Sequence, residues 1–150
     1  MKLAAVDPGL ATTGLAVLLG DQVIAHQTIR RGKKEISAAV MKKTIAWLDG
    51  QRPDIVVIEG YFPEGWRQTQ PLQAHAMSAF VCELTIRICA LGLPYFIVHQ
   101  QDRMVIPEIV AKMSLGGDKV SEHVVDAIRH AIAAKMTATS ILQERKKGAL

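Results

Sequence analysis

The sequence predicts an α/β protein built on a five-stranded mixed sheet with helices on both faces. Three observations lead to this fold. Short apolar runs end at turn residues, of which Asp7-Pro8-Gly9 is the first case. Stretches with helical spacing alternate with the later runs. Helices between strands require crossovers, and right-handed crossovers place the fourth and fifth strands parallel to the first.

The elements are expected in the order β-β-β-α-β-α-β-α. The first three strands are joined by short turns such as Gly20-Asp21, which predicts an antiparallel meander. Pro71 suits the first turn of the second helix, and Asp118 is the expected N-cap of the third. The strands are predicted at 3–6, 14–19, 23–29, 54–59 and 95–98, and the helices at 35–49, 71–91 and 119–136.

Length and charge narrow the class of protein. A chain of 150 residues suits one compact domain over 1–150, with 143–150 expected to be a flexible basic tail. Hydrophobic residues make up 49% of the chain, which excludes a disordered protein. The net charge of +4 favours a polyanionic partner. Runs of about 20 apolar residues do not occur, so a membrane partner is not expected. A small-molecule cofactor is not expected either.

The two cysteines indicate whether the protein works in a reducing or an oxidising compartment. Cys82 and Cys89 stand seven positions apart in one predicted helix, roughly 10 Å along its axis, which is too far for a disulfide. We expect both to be buried free thiols on the apolar side of the helix. Free thiols fit a reducing cytoplasm, and the protein is expected there.

Two carboxylates end buried strands. Asp7 follows the first strand, and Glu59 closes the run Ile-Val-Val-Ile of the fourth. If these strands are parallel neighbours, both side chains lie at the carboxyl edge of the sheet, where open α/β sheets place ligands. Either residue alone could be an ordinary turn or strand-end acid. As a pair at close range they repel and need a cation or a proton between them.

The last predicted helix adds two further polar residues to this site. His123 and Asp126 are spaced i, i+3 and can reach one point beside the apolar stripe of the helix. Glu122 and His130 are interpreted as helix-surface residues. Three carboxylates with one imidazole suit Mg²⁺ or Mn²⁺. Two such ions per site could run phosphodiester hydrolysis, one activating water and the other stabilising the departing 3′ oxygen.

Basic and aromatic residues around this site are candidates for contact with nucleic acid. Any one basic residue alone is better explained as a solvated charge, but together they could follow phosphates. Three aromatic residues follow Glu59 in one polar loop, where one could stack on an unpaired base, although packing against the domain is an equal explanation. The basic candidates are Arg30, Arg31, Arg67, Lys112 and Lys119, and the aromatic ones are Tyr61, Phe62 and Trp66.

Three short motifs resemble those of the RuvC Holliday junction resolvases. The first is Ala-Val-Asp-Pro-Gly at 5–9 with Thr13-Gly14 after it, the second is Val-Ile-Glu at 57–59, and the third is His-Val-Val-Asp-Ala at 123–127. The resemblance covers nearly the whole chain in order and spacing. It implies an RNase H-like fold, a homodimer, and symmetric nicking of a four-way DNA junction.

The resemblance also implies roles for single residues. Asp7, Glu59, His123 and Asp126 match the catalytic metal-binding positions, although many members of the family carry Asp where this chain has His123. Phe62 matches the aromatic residue that wedges into the opened junction. Lys112 and Lys119 are alternative candidates for contact with the scissile phosphate. The segment between His99 and Gly116 is short and atypical, which leaves the substrate preference open. Small size and divergence suit a phage or mobile-element version, which could cut flaps, forks and other branched DNA as well as four-way junctions.

Other functions stay open at this stage. A nuclease of the same fold could act on flaps, forks or RNA–DNA hybrids, and a substrate panel separates these. A junction-binding module without catalysis would be indicated by a lost carboxylate, but all three are present. Sugar kinases and actin-like ATPases also open on an Asp-x-Gly motif, yet they need two such domains, and 150 residues supply one.

Overall fold

The computed structural model describes residues 1–60, 71–116 and 119–148. Five strands and four α-helices follow one another in the described residues, with one 3₁₀ helix after the last strand. The strands are β1 (Lys2–Asp7), β2 (Thr12–Leu19), β3 (Gln22–Arg30), β4 (Ile55–Gly60) and β5 (Tyr95–His99). The helices are α1 (Ser37–Gln51), α2 (Pro71–Ala90), the 3₁₀ helix (Gln100–Val105), α3 (Glu108–Met113) and α4 (Glu122–Lys146).

The sheet has the order β3-β2-β1-β4-β5, and its strand directions are those that the sequence predicts. β1 pairs antiparallel with β2 and parallel with β4, and β4 pairs parallel with β5. β1 therefore occupies the centre of the sheet. The predicted α/β fold with a mixed five-stranded sheet is confirmed.

Two layers of helix cover the sheet and divide the core between them. Leu3 and Ala5 of β1 face α4, together with Ile55 and Val57 of β4. Ala4 and the other alternate residues of these strands pack on α1 and α2. Because side chains alternate along a strand, Asp7 and Glu59 fall on the α4 face, in line with the odd-numbered residues before them.

The segment between β5 and α4 differs from the sequence prediction. It contains the 3₁₀ helix and α3, neither of which the sequence analysis predicts. α4 begins after Ser121, whose hydroxyl accepts from the backbone N–H of Val124, and it runs to Lys146 rather than to 136. Asp118, the expected N-cap, lies outside the described residues. Residues 143–146 are helical, and the flexibility of the 143–150 tail stays a prediction.

The prediction of buried cysteines is wrong. Cys82 and Cys89 are both exposed on α2. This helix packs on the sheet through Val81, Leu84 and Ile88, and Cys82 is rotated about 100° from Val81. α2 carries apolar residues all around, so periodicity does not show which side the sheet covers.

None of the helices in the described ranges combines the length and apolar character needed to cross a bilayer.

Candidate active site

Asp7 and Glu59 meet at the carboxyl edge of the central strands. The parallel register pairs Val6 with Ile58, so the next residue on each strand reaches the same edge. Both side chains are buried, with 6% of Asp7 and 7% of Glu59 exposed. Parallel neighbours with matched register thus bring two acids together, as the sequence analysis expects.

α4 brings His123 directly onto Asp7. Nδ1 of His123 lies 2.6 Å from Oδ2 of Asp7. Gly14, which pairs with Asp7 across the sheet, makes this approach possible because a Cβ at Gly14 would lie 2.1 Å from the carbonyl oxygen of His123. The glycine lets the first turn of α4 rest on the backbone of β2 beside the acid.

Burial dominates the electrostatics of Asp7. Desolvation raises the pKa of Asp7 to about 7, the hydrogen bond with His123 works against this rise, and the neighbouring Glu59 adds to it. The hydrogen bond with Asp7 in turn raises the pKa of His123. One proton is therefore shared across this contact near neutral pH, and the site holds more negative charge than it can keep without a proton or a cation.

Asp126 lies one turn further along α4 and pairs with Arg129. Nη1 of Arg129 lies 3.2 Å from Oδ1 of Asp126. Nε of the same guanidinium donates to the carbonyl oxygen of Ile106 at 2.8 Å. Arg129 thereby joins Asp126 to the segment between the 3₁₀ helix and α3.

His130 occupies a different position from the one that the sequence suggests. The assignment of His130 to the helix surface is wrong, because its side chain is fully buried. Its Nε2 lies 3.1 Å from Oε2 of Glu59, although the two groups are not aligned as a hydrogen bond. The imidazole therefore lies against Glu59 on the side away from solvent.

All four predicted site residues line one open cavity of about 700 Å³. Asp7, Glu59, His123 and Asp126 contribute to the same wall, and the loop 8–11 forms its rim. Arg31 also lines the cavity, held near the rim by a 2.8 Å hydrogen bond from its backbone N–H to the Ala11 carbonyl.

The other predicted nucleic-acid contacts are distributed around this cavity. Arg30 and Lys119 line a second, shallow groove beside the edge strand β3. Lys112 is exposed on α3, forms an ion pair with Glu108, and lines neither groove. Tyr61, Phe62, Trp66 and Arg67 lie outside the described residues, directly after Gly60, which lines the cavity.

The donor chemistry of the cavity fits a divalent cation. Carboxylate oxygens from Asp7, Glu59 and Asp126 with one imidazole nitrogen form a set suited to Mg²⁺ or Mn²⁺. The raised pKa of Asp7 indicates negative charge that a cation would relieve. Within the described ranges, no group of three such side chains stands ready to hold an ion. Binding of a cation to Nδ1 of His123 or to Oδ2 of Asp7 would require these two atoms to separate.

Sequence reasoning missed two residues that line this cavity, Gln73 and Met77, and one that lies behind Glu59, His130. His130 follows Asp126 by one helical turn, and that spacing was the available signal for a shared face. Gln73 and Met77 line the cavity from α2. Their spacing of four residues marks one face of a helix, but only the packing of α2 on the sheet shows that this face reaches the acids.

The protein resembles known proteins in its three-dimensional structure. No protein-family model matches this sequence, and no curated protein matches it. The chain superposes on Thermus thermophilus RuvC, solved with a Holliday junction substrate, with a TM-score of 0.75 at 18% identity, covering 93% of this chain and 96% of that one. The chain has the fold of the Holliday junction resolvases.

Two further resolvases share this fold. The yeast mitochondrial Holliday junction resolvase matches with a TM-score of 0.55 at 12% identity, over 98% of this chain and 82% of that one. The fowlpox virus resolvase, solved with Holliday junction DNA, matches with a TM-score of 0.51 at 11% identity, over 95% of this chain and 99% of that one. The likeness to a resolvase therefore extends over the whole chain at low sequence identity.

Proposed function

We propose that this protein is a metal-dependent DNA endonuclease that resolves four-way junctions by symmetric nicks. The observation that carries the proposal is the meeting of Asp7, Glu59, His123 and Asp126 around one cavity in a resolvase fold. Three carboxylates that line one cavity repel one another and favour a bound cation. A metal-dependent phosphodiester hydrolase uses such a ligand set.

In this proposal the four residues hold divalent cations, Mg²⁺ or Mn²⁺, two in each site. The chemistry that such ions supply when bound is activation of water and stabilisation of the leaving 3′ oxygen. The protein itself arranges the metal-binding side chains and holds the proton between Asp7 and His123. The proton between Oδ2 of Asp7 and Nδ1 of His123 must leave before either atom binds a cation, so affinity for the cation increases with pH.

Positive charge supports DNA as the substrate. Arg31 at the rim of the cavity can hold a phosphate close to the acids, and Arg30 with Lys119 can hold the next stretch of backbone in the second groove. Lys119 is the better candidate than Lys112 for a phosphate contact, because Lys119 lines the second groove, whereas Lys112 is paired with Glu108 and lines neither groove. Phe62, Tyr61 and Arg67 come soon after Gly60 in the sequence and complete the proposed DNA contacts.

Two symmetric nicks require two active sites, which a homodimer would supply. α2 exposes an unusual amount of apolar surface, with 83% of Leu72 and 64% of Ile86 exposed. Ala76 and Ala79 are exposed beside them, whereas Ala74 is buried in the core. Small and apolar residues on one exposed helix suit close packing against a second copy. We place the reaction in the cytoplasm of a bacterium or a phage-infected cell, where exposed thiols remain reduced.

The test is a cleavage assay on labelled four-way, forked, nicked and linear duplex DNA, with Mg²⁺, Mn²⁺ or chelator. The variant is Asp7→Asn, which removes a ligand but no DNA contact. Asp49→Asn is the matched control, since Asp49 is exposed on α1 in the opposite helix layer. We expect paired symmetric nicks in the four-way junction with wild type and control, and junction binding without cleavage with Asp7→Asn.

Other outcomes distinguish the alternatives. Cleavage of every branched form would broaden the function to a debranching nuclease, and cleavage of RNA–DNA hybrids would change the substrate. Tight binding with no cleavage under any metal would indicate a junction-binding module. Full cleavage by Asp7→Asn would contradict the proposed site.

A further inference from the structure

His130 has no role in the proposed chemistry, yet it is a polar side chain buried against a proposed metal ligand. Its side chain is 0% exposed, and its Nε2 lies 3.1 Å from Oε2 of Glu59, whose side chain is 9% exposed. We propose that His130 is a positioning residue, which holds Glu59 in the orientation that cation binding needs. The inference rests on the proposed metal-dependent function of this cavity.

The tautomer of His130 follows from its surroundings. Nδ1 of His130 has no hydrogen-bond partner among the described residues, whereas Nε2 faces a carboxylate. A proton on Nδ1 would be a buried donor without an acceptor, which costs more than an unused lone pair. The proton therefore belongs on Nε2, where a small rotation of Glu59 completes the hydrogen bond.

A neutral imidazole suits this position better than a cationic side chain. Lys or Arg beside Glu59 would neutralise the carboxylate and compete with a divalent cation for it. A neutral N–H donor satisfies one carboxylate oxygen and leaves the negative charge in place. With Oε2 held by His130, we expect the other oxygen of Glu59 to face the cavity, and partners behind a ligand of this kind commonly set metal affinity.

The position of His130 on α4 makes the support rigid. His130 lies four residues after Asp126, so one helix carries both a cavity residue and the contact behind Glu59. Ala127, Ile128 and Ala131 around it are fully buried against the sheet. The packing of α4 on the sheet therefore limits movement of the imidazole away from Glu59.

The experiment compares two variants of His130 whose polar side chains differ in length. His130→Gln places an amide N–H near the position of Nε2, whereas the amide of His130→Asn is too short to reach Glu59. Ile128→Val is the control, because it trims a buried side chain of the apolar core on the same helix and removes no polar group. Mn²⁺ binding to the full chain is measured by electron paramagnetic resonance, alongside cleavage of a four-way junction as Mn²⁺ is varied.

We expect His130→Asn to weaken Mn²⁺ binding about tenfold or more. Its cleavage should recover at high Mn²⁺, and His130→Gln should restore most of the affinity. Ile128→Val should lose stability and keep wild-type Mn²⁺ affinity. If His130→Asn does not fold, His130→Leu, which has no donor at all, takes its place.

Two results would overturn the inference. Equal Mn²⁺ affinity in His130→Gln and His130→Asn would mean that His130 only fills space, while the proposed nuclease function would survive. If wild-type protein neither binds Mn²⁺ nor cleaves, the proposed function fails and the inference fails with it.

Discussion

Asp7 presents a carboxyl group to the protein interior, with 6% of its surface exposed. Desolvation by burial raises its pKa to about 7, and Glu59 adds to the rise. Between about pH 4 and about pH 7 the folded protein keeps a proton on Asp7 that the unfolded chain has lost. The raised pKa of His123 acts in the same direction, because its stabilising proton is lost only as the pH rises through the raised value.

The free energy of unfolding of the metal-free protein should therefore decrease as the pH rises from about 4 to about 7. Asp7→Asn, which cannot titrate, should flatten this dependence and be more stable than wild type at the alkaline end. Urea unfolding in chelator across this range measures it. Asp49→Asn should keep the wild-type slope, and an unchanged slope in Asp7→Asn would contradict the assignment of the effect to Asp7.

At the scale of the element, the position of α4 depends on one contact with β2. A Cβ at Gly14 would lie 2.2 Å from the carbonyl carbon of His123 and 2.7 Å from its Cβ. No rotamer change relieves a clash with backbone atoms. Any side chain at Gly14 therefore pushes the first turn of α4 away from the sheet and separates His123 from Asp7.

Gly14→Ala should destabilise the fold by about 1–3 kcal/mol. Cleavage should decrease further than this loss explains, even where the variant is folded. Gly50→Ala is the matched control, since a Cβ at Gly50 meets nothing within 4 Å and alanine favours the helix. Thermal unfolding and junction cleavage at one Mn²⁺ concentration give the comparison. Wild-type cleavage by folded Gly14→Ala would contradict the prediction that displacement of the first turn of α4 reduces activity.

Strands were predictable from local pattern, while the faces of helices were not. Four consecutive β-branched residues, Ile55 to Ile58, have one structural solution as a strand buried on both faces. Cys82 was predicted to be buried and is exposed, whereas His130 was predicted to be on the surface and is buried. Each residue lies on a helix with more than one apolar or polar stripe. Which stripe is covered depends on the sheet, and a single helical sequence does not contain that information.

The candidate site was predictable to the extent that it depends on strand ends. Asp7 and Glu59 are each last or nearly last on a buried strand, and parallel pairing alone brings them together. The partners of His123 and Asp126 depend instead on how α4 crosses the sheet. The contacts of Arg129 with Asp126 and Ile106 involve a segment whose 3₁₀ helix and α3 have no clear sequence pattern.

At the scale of the whole molecule, the excess of positive charge lies partly beside the cavity. Arg31 reaches the cavity itself, and Arg30 and Lys119 line the groove next to it. The proposed DNA backbone would follow both grooves and contact more than one of these cations. Junction binding should accordingly depend strongly on salt.

Arg30→Ala and Lys119→Ala should each weaken junction binding and reduce the slope of log affinity against log salt by about 0.9. The control is Lys42→Ala, an exposed lysine on α1 in the opposite helix layer. Titration of labelled junction in chelator, at several salt concentrations, separates binding from cleavage. An equal slope for Lys42→Ala and Lys119→Ala would assign the charge effect to the molecule in general rather than to the groove.

The central place of β1 has a consequence for how the protein loses activity on warming. β1 has hydrogen-bonded neighbours on both sides, β2 and β4, and helices cover both of its faces. Amides in such a strand exchange with solvent only through opening of most of the domain, whereas the edge strands β3 and β5 can fray alone. Asp7 therefore lies on the part of the backbone that opens last, and the candidate active site should stay assembled until the cooperative unfolding transition itself.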